Sequence, residues 1–491
     1  MQYSLVEQPW IPVLTDTGMD QRGLRSVFAT DIVAIASSDP LADVAILRLL
    51  LAIRIACAAQ GLTAEEWVSA HADRFDIFSP TQPFGQNPDM ARLVDLEGSK
   101  RPVVAQSYRL AGNGSTAENQ FHTLSGIAFT PAESARLLLM RQAFSVGGIQ
   151  AFTQAVIYED VPDTRPGKQG KTRRQASGSA AYGKDPLSAK TAVCTNRAFA
   201  WIDTGRLAST LDVNAQFVAD APLGKFHFGW PHPTTPPPIP GTPTGVLDAL
   251  TWPSRSIYLI PADPVADIMI CDGMRWPEPS TPGYSPEQEA HLIPHAVFER
   301  KTAKAPYVIQ GVHTARTPWR QLLSAMAVEQ PGVSVLAAAG SMTLPPASVV
   351  RICGLGSYQA RIDGTVTGSF PVPAAGVDVA ALAALVSEAF TSHSSFVGSL
   401  AYATGRTDRR QAAALTHRLS QYPALSAQLE PIAAAAARGQ LSLPQARALV
   451  ADIAANANRA ARDQLRPSHV RAAGRVDARK SPITLADSMT S

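Results

Sequence analysis

The sequence has few cysteines and no long apolar run, and both shortages exclude classes of protein. Its four cysteines are far apart and form no CxxC pair, which argues against a zinc ribbon. Scattered single thiols are typical of a reducing compartment, so we expect a cytoplasmic protein. The most apolar stretch, residues 47–59, contains Arg48 and Arg54 and is too short to span a bilayer. The first residues lack a basic region followed by an apolar run, so we expect no signal peptide and no membrane partner.

The charge balance is nearly even and the composition is that of a folded protein. The chain has 491 residues, of which 45% are hydrophobic and 17% are charged, and its formal net charge is +3. This length exceeds what one ordinary core holds, so two or three domains are expected. The small net charge neither demands nor excludes a nucleic-acid partner, because local basic patches matter more than the sum.

The usual signatures of an enzyme are missing or incomplete. Gly170-Lys171-Thr172 resembles the end of a phosphate-binding P-loop, but Arg165 stands where the motif needs its first glycine. The residues after Thr172 form a poor helix start, so no anion site at a helix N-terminus is expected. His291 and His295 have a zinc-like spacing, but Pro294 breaks the helix between them. The sequence therefore indicates no catalytic residue, no metal and no cofactor.

A hairpin with an unusual tip is predicted where mixed sequence gives way to helical sequence. The arms are Val349–Cys353 and Ala360–Ile362, and the tip between them holds Gly354, Gly356 and an uncharged polar Gln359. Spacing alone favours a hairpin that closes a domain. The alternative is a projecting wedge or sensor, since glutamine at a tip can hydrogen-bond within a groove or a displaced base pair.

The most basic stretch of the chain, residues 163–190, is predicted to be a loop. Only Asp185 opposes its cations over residues 165–190. A loop of this kind is either a solvated flexible segment or a phosphate-contacting one, and the sequence leaves both possibilities open. The cations are Arg165, Lys168, Lys171, Arg173, Arg174, Lys184 and Lys190.

The chain pattern predicts an α+β fold. Residues 1–372 are predicted to form a large mixed α/β domain with irregular loops and small antiparallel sheets. Helix caps are expected at Asp39-Pro40, Thr63 and Thr130, and a strand is expected over Leu250–Leu259. The Gly147-Gly148 pair is expected soon after the Thr130 helix.

Residues 373–491 are predicted to form a C-terminal four-helix bundle. Apolar residues from Leu382 to Phe390 lie on one helical face. Three further helices with short connections make an antiparallel bundle the expected arrangement. These helices are predicted at 407–421, 424–438 and 443–465, with Ser442 capping the last.

An ordered set of segments resembles the CasA family, the large subunit of the type I-E CRISPR surveillance complex Cascade. The set spans nearly the whole chain in the family's order, and its opening segment is the most telling member. The segments are Leu5–Val13, Ala45–Ile53, Phe75–Phe78 with Pro83–Gln86, Leu137–Gly148, Leu250–Arg255, Pro318–Arg320 and Gly354–Ala360.

The resemblance implies a non-catalytic subunit of an RNA-guided antiviral complex. Such a subunit recognises the protospacer-adjacent motif in double-stranded target DNA, helps to start unwinding and recruits the effector helicase–nuclease. Its other implied partners are the 5′ handle of the guide RNA and the remaining Cascade subunits. Two alternatives remain: a nucleotide-dependent enzyme or hydrolase that uses Gly170-Lys171-Thr172, and a pure scaffold subunit.

The resemblance also assigns residues to these roles. The family's glycine loop is similar to Gly147-Gly148, and its glutamine wedge is similar to Gln359, with Tyr358 and Ala360 beside it. Phe121 resembles the aromatic residue that meets the 5′ handle of the guide RNA. Arg275 is the candidate for the cation that helps to read the motif. Within the basic stretch, the residues assigned to DNA binding are Lys168, Lys171, Arg173 and Arg174.

Overall fold

The computed structural model covers the whole chain. It describes residues 1–95, 99–107, 127–144, 157–162, 170, 172–177, 198–218, 221–231, 239–277, 285, 291–299, 308–309, 311–312, 317–328, 334–339, 342, 344–358, 361–403, 416, 419–420 and 422–464.

Contacts within the chain group its residues into two compact units. Unit one comprises Met1–Ala315, Gln330–Ala338 and Leu344–Gly368. Unit two comprises Arg316–Glu329, Ala339–Thr343 and Ser369–Ser491. The grouping does not follow chain order, because a short helical segment before the hairpin joins the C-terminal helices.

Helices and short strands alternate irregularly along unit one, which confirms the predicted mixed α+β character. The strands are β1 Ile11–Thr15, β2 Gly18–Arg22, β3 Ile32–Ile35, β4 Arg101–Pro102, β5 Ile157–Pro162, β6 Thr172–Ser177, β7 Ala198–Asp203, β8 Ile239–Pro240, β9 Arg255–Leu259, β10 Asp267–Asp272, β11 Met274–Arg275, β12 Phe298–Glu299, β13 Val308–Ile309, β14 Val349–Tyr358 and β15 Arg361–Pro371.

The two longest described helices lie in the C-terminal part of the chain. The helices are α1 Pro40–Ala59, α2 Ala64–Ala70, α3 Pro131–Ala143, α4 Leu207–Gln216, α5 Val246–Leu250, α6 Pro318–Met326, α7 Val335–Ala338, α8 Val379–Ala403, α9 Tyr422–Ala437 and α10 Leu443–Asp463. Short 3₁₀ turns lie at Ala72–Arg74, Pro88–Leu93 and Val103–Gln106.

The described strands form six small sheets. Their strand orders are β2-β1-β3, β4-β10-β9, β11-β8, β12-β13, β15-β14-β7 and β5-β6. Small antiparallel sheets are present as predicted, and the β8–β11 pair adds a parallel one. The predicted strand Leu250–Leu259 begins only at Arg255, because Val246–Leu250 forms a helical turn. Sequence propensity did not separate the two, since both segments are apolar and short.

Helix α1 packs inside the hydrophobic core of unit one. Asp39 caps it by accepting a hydrogen bond from the Leu41 amide at 3.0 Å, and Pro40 occupies the first turn, as predicted. Fifteen of its 20 residues are buried, because it contacts α3, α4 and α5. Even Arg48 is buried, and its guanidinium donates to the Ala249 carbonyl at 2.6 Å. A buried cation of this kind persists only with such hydrogen bonds.

The predicted capping boxes at Thr63 and Thr130 are both present. Each threonine hydroxyl accepts from the backbone amide three residues on, and that residue's glutamate carboxylate accepts from the threonine amide at 2.8 Å. The two boxes start α2 and α3 at the expected residues. Helix α3 ends at Ala143, so the Gly147-Gly148 pair follows it by four residues and lies outside the described part of the chain.

Unit two contains the described helices α8, α9 and α10 together with α6. Helix α8 packs against α6, α9 and α10. His393 on α8 donates from Nδ1 to Asn458 Oδ1 on α10 at 2.8 Å, and both side chains are buried. Trp319 on α6 donates to Ser426 Oγ on α9 at 2.9 Å. These buried polar pairs fix the relative register of the helices.

The predicted C-terminal helices are present where the structure describes them. The expected helices at 424–438 and 443–465 correspond to α9 and α10, and Ser442 caps the latter with a capping box. The expected helix at 407–421 falls almost entirely outside the described residues. The described part of this region therefore shows three of the four predicted helices.

Candidate functional site: a rooted β-hairpin

The predicted hairpin is present, and its strands are longer than expected. Strands β14 and β15 lie side by side in one sheet, and two residues of sequence, Gln359 and Ala360, connect them. Gly354 and Gly356 lie within β14, so their predicted place at the tip is wrong. Glycine carries no side chain to reveal strand character, and its frequency in turns misled the prediction. Tyr358 is the last residue of β14, and Gln359 and Ala360 lie outside the described residues.

The first hairpin strand is fixed by a neighbouring strand of unit one. Strand β14 pairs antiparallel with β7 over a register from Val349 opposite Asp203 to Gly354 opposite Ala198. Across this pair, Arg351 Nε donates to Asp203 Oδ2 at 2.5 Å. The backbone ladder, more than this half-exposed ion pair, secures the strand, because exposed pairs contribute little to stability.

Strand β14 also contacts the buried helix α1. Cys353, which is 1% exposed, donates from Sγ to the Pro40 carbonyl at the start of α1. Its cross-strand partner Phe199 is also buried and belongs to the same hydrophobic core as α1. The first strand of the hairpin is therefore held by a sheet partner and a core helix.

Two side chains, those of His295 and Arg48, pack against the Phe199 ring. The His295 ring lies parallel to Phe199 with their centroids 4.9 Å apart, and the Arg48 guanidinium carbon lies 5.5 Å from the Phe199 centroid. The His295 carbonyl also accepts from the Ala200 amide at 2.8 Å. Burial, together with the charge of Arg48, lowers the pKa of His295 to about 3, so this ring is neutral at physiological pH.

His295 and His291, which have a zinc-like spacing in the sequence, lie in different surroundings. His295 is 2% exposed and stacks on an aromatic ring, whereas His291 is exposed. Within the described residues, no group of three or more histidine, cysteine, aspartate or glutamate side chains could hold a metal ion. The helices in the same residues include none that is long and apolar enough to cross a membrane.

Part of the basic stretch is a strand, so the prediction of a continuous loop over 163–190 is wrong. Strand β6 pairs antiparallel with β5, and its register places Arg173 opposite Val161 and Arg174 opposite Asp160. Gly170, with φ of +79°, precedes this strand in the left-handed region. Lys168 and Lys171 lie outside the described residues.

The described candidate residues lie on three different sheets. Arg173 and Arg174 are on β6, Tyr358 is on β14, and Arg275 is on β11, which pairs with β8. Arg275 is half-buried, and its carbonyl accepts from the Gly241 amide at 3.1 Å.

Several predicted site residues fall outside the part of the chain that the structure describes, and their roles stay predictions. They are Phe121, Gly147, Gly148, Lys168, Lys171, Gln359 and Ala360.

The sequence and the fold both match known proteins. The family model for CRISPR-associated protein Cse1 matches residues 4–466. CRISPR-associated protein CasA/Cse1 of Thermus thermophilus is 26% identical over 368 residues, which cover 67% of this chain and 61% of that relative.

Two solved structures share the fold over almost the whole chain. The crystal structure of CasA from Thermus thermophilus has a TM-score of 0.68 at 20% identity and covers 96% of this chain and 97% of its own. A chain of a CRISPR RNA-guided surveillance complex has a TM-score of 0.65 at 15% identity, with 97% and 99% covered. These two structures show the shared fold, and the family match over residues 4–466 shows that the chain belongs to the CRISPR-associated protein Cse1 family, also called CasA.

Proposed function

We propose that this chain is a non-catalytic subunit of an RNA-guided CRISPR surveillance complex. In this role it recognises the protospacer-adjacent motif in double-stranded target DNA, helps to start unwinding, and recruits the effector helicase–nuclease. Residues 1–372 carry DNA recognition, and residues 373–491 form a four-helix bundle. The family membership and the likeness to a chain of a surveillance complex support this proposal.

The proposal depends mainly on one observation, which is that the first strand of the β14–β15 hairpin is firmly attached to unit one. Opening a base pair needs an element that keeps its position under load, because a mobile tip would yield before the duplex does. Strand β14 is held by the β7 ladder and by the Cys353 contact to α1, and Gln359 follows it directly before the chain returns. A glutamine amide both donates and accepts, so it can replace hydrogen bonds of a displaced base.

The remaining candidate residues have complementary roles in the proposal. Gly147 and Gly148 let the backbone approach the motif from the minor groove, since glycine adds no side chain. Tyr358 and Ala360 flank the wedge, and Arg275 assists in reading the motif. Phe121 meets the 5′ handle of the guide RNA by stacking.

The enzymatic alternative has less support. A P-loop places its lysine at the start of a helix, whose amides bind the phosphates. Here Thr172, directly after Lys171, is the first residue of strand β6. A phosphate cradle of that kind therefore has no helix N-terminus at this position.

Neutralising the basic stretch tests the phosphate-binding part of the proposal. We expect replacement of Lys168, Lys171, Arg173 and Arg174 by alanine to weaken duplex binding by the assembled complex. The slope of log affinity against log salt should fall by about 0.9 for each phosphate that the variant no longer neutralises. Affinity measured at several salt concentrations gives this slope.

A charge-matched control separates local contacts from net charge. The control variant replaces the exposed residues Arg92, Lys100, Arg101 and Arg438 by alanine and should leave the salt slope near the wild-type value. Equal slopes for both variants and the wild type would mean that the stretch is a solvated segment of a scaffold subunit.

A further inference from the structure

An open cleft in unit one combines aromatic rings with two cations that have no acidic partner among the described residues. Its volume is about 700 Å³, which lies within the range of small-molecule sites. We call it the aromatic cleft and define it by Arg74, Gln82, Lys225, Phe226, Phe228 and Thr244, which line it. It shares no residue with the β14–β15 hairpin.

The Arg74 side chain packs on an aromatic ring in the cleft. Among the described residues, no carboxylate pairs with it. Its guanidinium carbon lies 4.8 Å from the centroid of Phe228. Its Nε atom is buried and has no hydrogen-bond partner in the described part of the chain. The structure shows no ion pair for Arg74 within the same residues. The positive charge is therefore available to a ligand.

Three other aromatic rings pack against Phe228. His71 lies 5.5 Å from Phe228 and Trp67 lies 5.9 Å from it, both nearly parallel to it, and Phe226 is tilted against it at 4.6 Å. Phe226 and Phe228 are only half-buried, although large aromatic side chains gain by full burial. Rings presented in this way are suited to stacking with a planar ligand.

The only carboxylate among the described residues that line the cleft is occupied by internal hydrogen bonds. Asp248 Oδ2 accepts from the Lys225 amide, the Thr244 amide and the Thr244 hydroxyl at 3.0, 3.1 and 2.8 Å. Its Oδ1 lies 2.9 Å from Nε2 of His227. Burial would raise the pKa of Asp248, but the hydrogen bonds from His227, Thr244 and Lys225 together lower it, so the group stays ionised.

These hydrogen bonds build one wall of the cleft. They tie the segment that carries Lys225, Phe226 and Phe228 to Thr244. Gly224, with φ of +70°, starts this segment, and a side chain there would collide with the Asp248 carboxylate. Lys225 itself is exposed, and the structure shows no acidic partner for its side chain among the described residues.

We propose that the aromatic cleft binds one unpaired nucleotide of a single-stranded nucleic acid. Arg74 and Lys225 pair with its phosphate, and Phe226, Phe228 and the Arg74 guanidinium provide planes on which the base stacks. The exposed Gln82 and the Thr244 hydroxyl supply hydrogen-bonding groups for the base edge or sugar. This site goes beyond the hairpin proposed above and would bind a strand that is already unpaired.

Single-strand binding by the full-length protein tests the proposal directly. The double variant Arg74→Gln, Lys225→Ala removes both cations and leaves the packed rings in place. We expect it to bind a fluorescent single-stranded oligonucleotide at least about fivefold more weakly than wild type. The control Arg92→Gln, Lys100→Ala removes the same charge from exposed positions outside the cleft. It should bind within about twofold of wild type.

Three probes identify the source of the nucleotide. They are a DNA strand, an RNA strand of the same sequence and a blunt DNA duplex, each titrated by fluorescence anisotropy. A selective loss with the DNA strand assigns the cleft to the DNA strand that is displaced when the guide RNA pairs with its target. A selective loss with the RNA strand assigns it to the guide RNA. Equal losses with both single strands assign it to unpaired nucleic acid in general.

Two outcomes would overturn the proposal. The first is equal affinity of the cleft variant and its control for every probe. The second is a loss confined to the duplex, which would make the cleft a duplex backbone contact. Lys225→Ala alone, at an exposed side chain, repeats the test if the double variant melts earlier than wild type. Since Gln359 is intact in all variants, duplex opening by the complex reports separately on the hairpin.

Discussion

Replacing Gln359 with alanine is expected to slow the opening of a correct DNA target by about five- to hundredfold. The proposed wedge supplies hydrogen bonds to a displaced base, and bonds of this kind contribute about 1–3 kcal/mol. Each 1.4 kcal/mol corresponds to about tenfold, which gives the stated range. Fluorescence of a base analogue beside the flanking motif measures the opening rate in the complex.

Assembly of the complex should be unaffected by Gln359→Ala. The control is Gln60→Ala, which removes an exposed glutamine at the end of α1 whose capping contacts come from its backbone. Wild-type opening rates in both variants would show that Gln359 is not a wedge and that the hairpin only closes a domain. Loss of the subunit from the complex would point to a structural role for the tip.

Replacing Phe199 with alanine is expected to destabilise unit one by about 3–5 kcal/mol. The change removes a buried ring between His295 and Arg48 and leaves a cavity beside the root of β14. The same change leaves the buried Arg48 without its aromatic neighbour. The free energy of unfolding in urea, followed by tryptophan fluorescence, measures the effect.

Arg351→Ala is the matched control on the same sheet. It removes the ion pair to Asp203, in which the Arg351 side chain is 48% exposed, so its cost should stay below about 1 kcal/mol. A similar small cost for Phe199→Ala would mean that the aromatic stack does not hold the hairpin root. The proposal would then need another source of rigidity.

Local signals in the sequence correctly predicted where helices begin. Thr63, Thr130 and Ser442 each cap a helix through their own hydroxyl and the residue three positions on, so the information is contained in four neighbouring residues. Asp39-Pro40 follows the same logic at the start of α1. Signals of this range do not depend on the rest of the fold.

Features that depend on distant parts of the chain were not predicted. The support of the hairpin comes from Phe199, His295 and Arg48, which are far apart in sequence and meet only in the folded core. The aromatic cleft is similar, since Arg74 and Phe228 are separated by more than a hundred residues. The alternation of basic and aromatic residue types in Lys225-Phe226-His227-Phe228 is the one local signal that could have indicated this site.

Strand boundaries were missed where residue type is ambiguous. Gly354 and Gly356 favoured a turn by composition, yet β14 runs through both, and Gly354 pairs with Ala198 of β7. Arg173 and Arg174 suggested a loop, yet β6 pairs with β5 along its whole length. Tertiary pairing overrides local propensity in both cases.

The most direct test of the central claim is selection of flanking sequence by the reconstituted complex. Guide RNA and the other subunits are assembled with and without this chain and are offered duplexes with a matching target and randomised flanking bases. The proposal predicts that a defined flanking motif is enriched only when this chain is present. Equal enrichment without it, or no enrichment with it, would contradict a role in motif recognition.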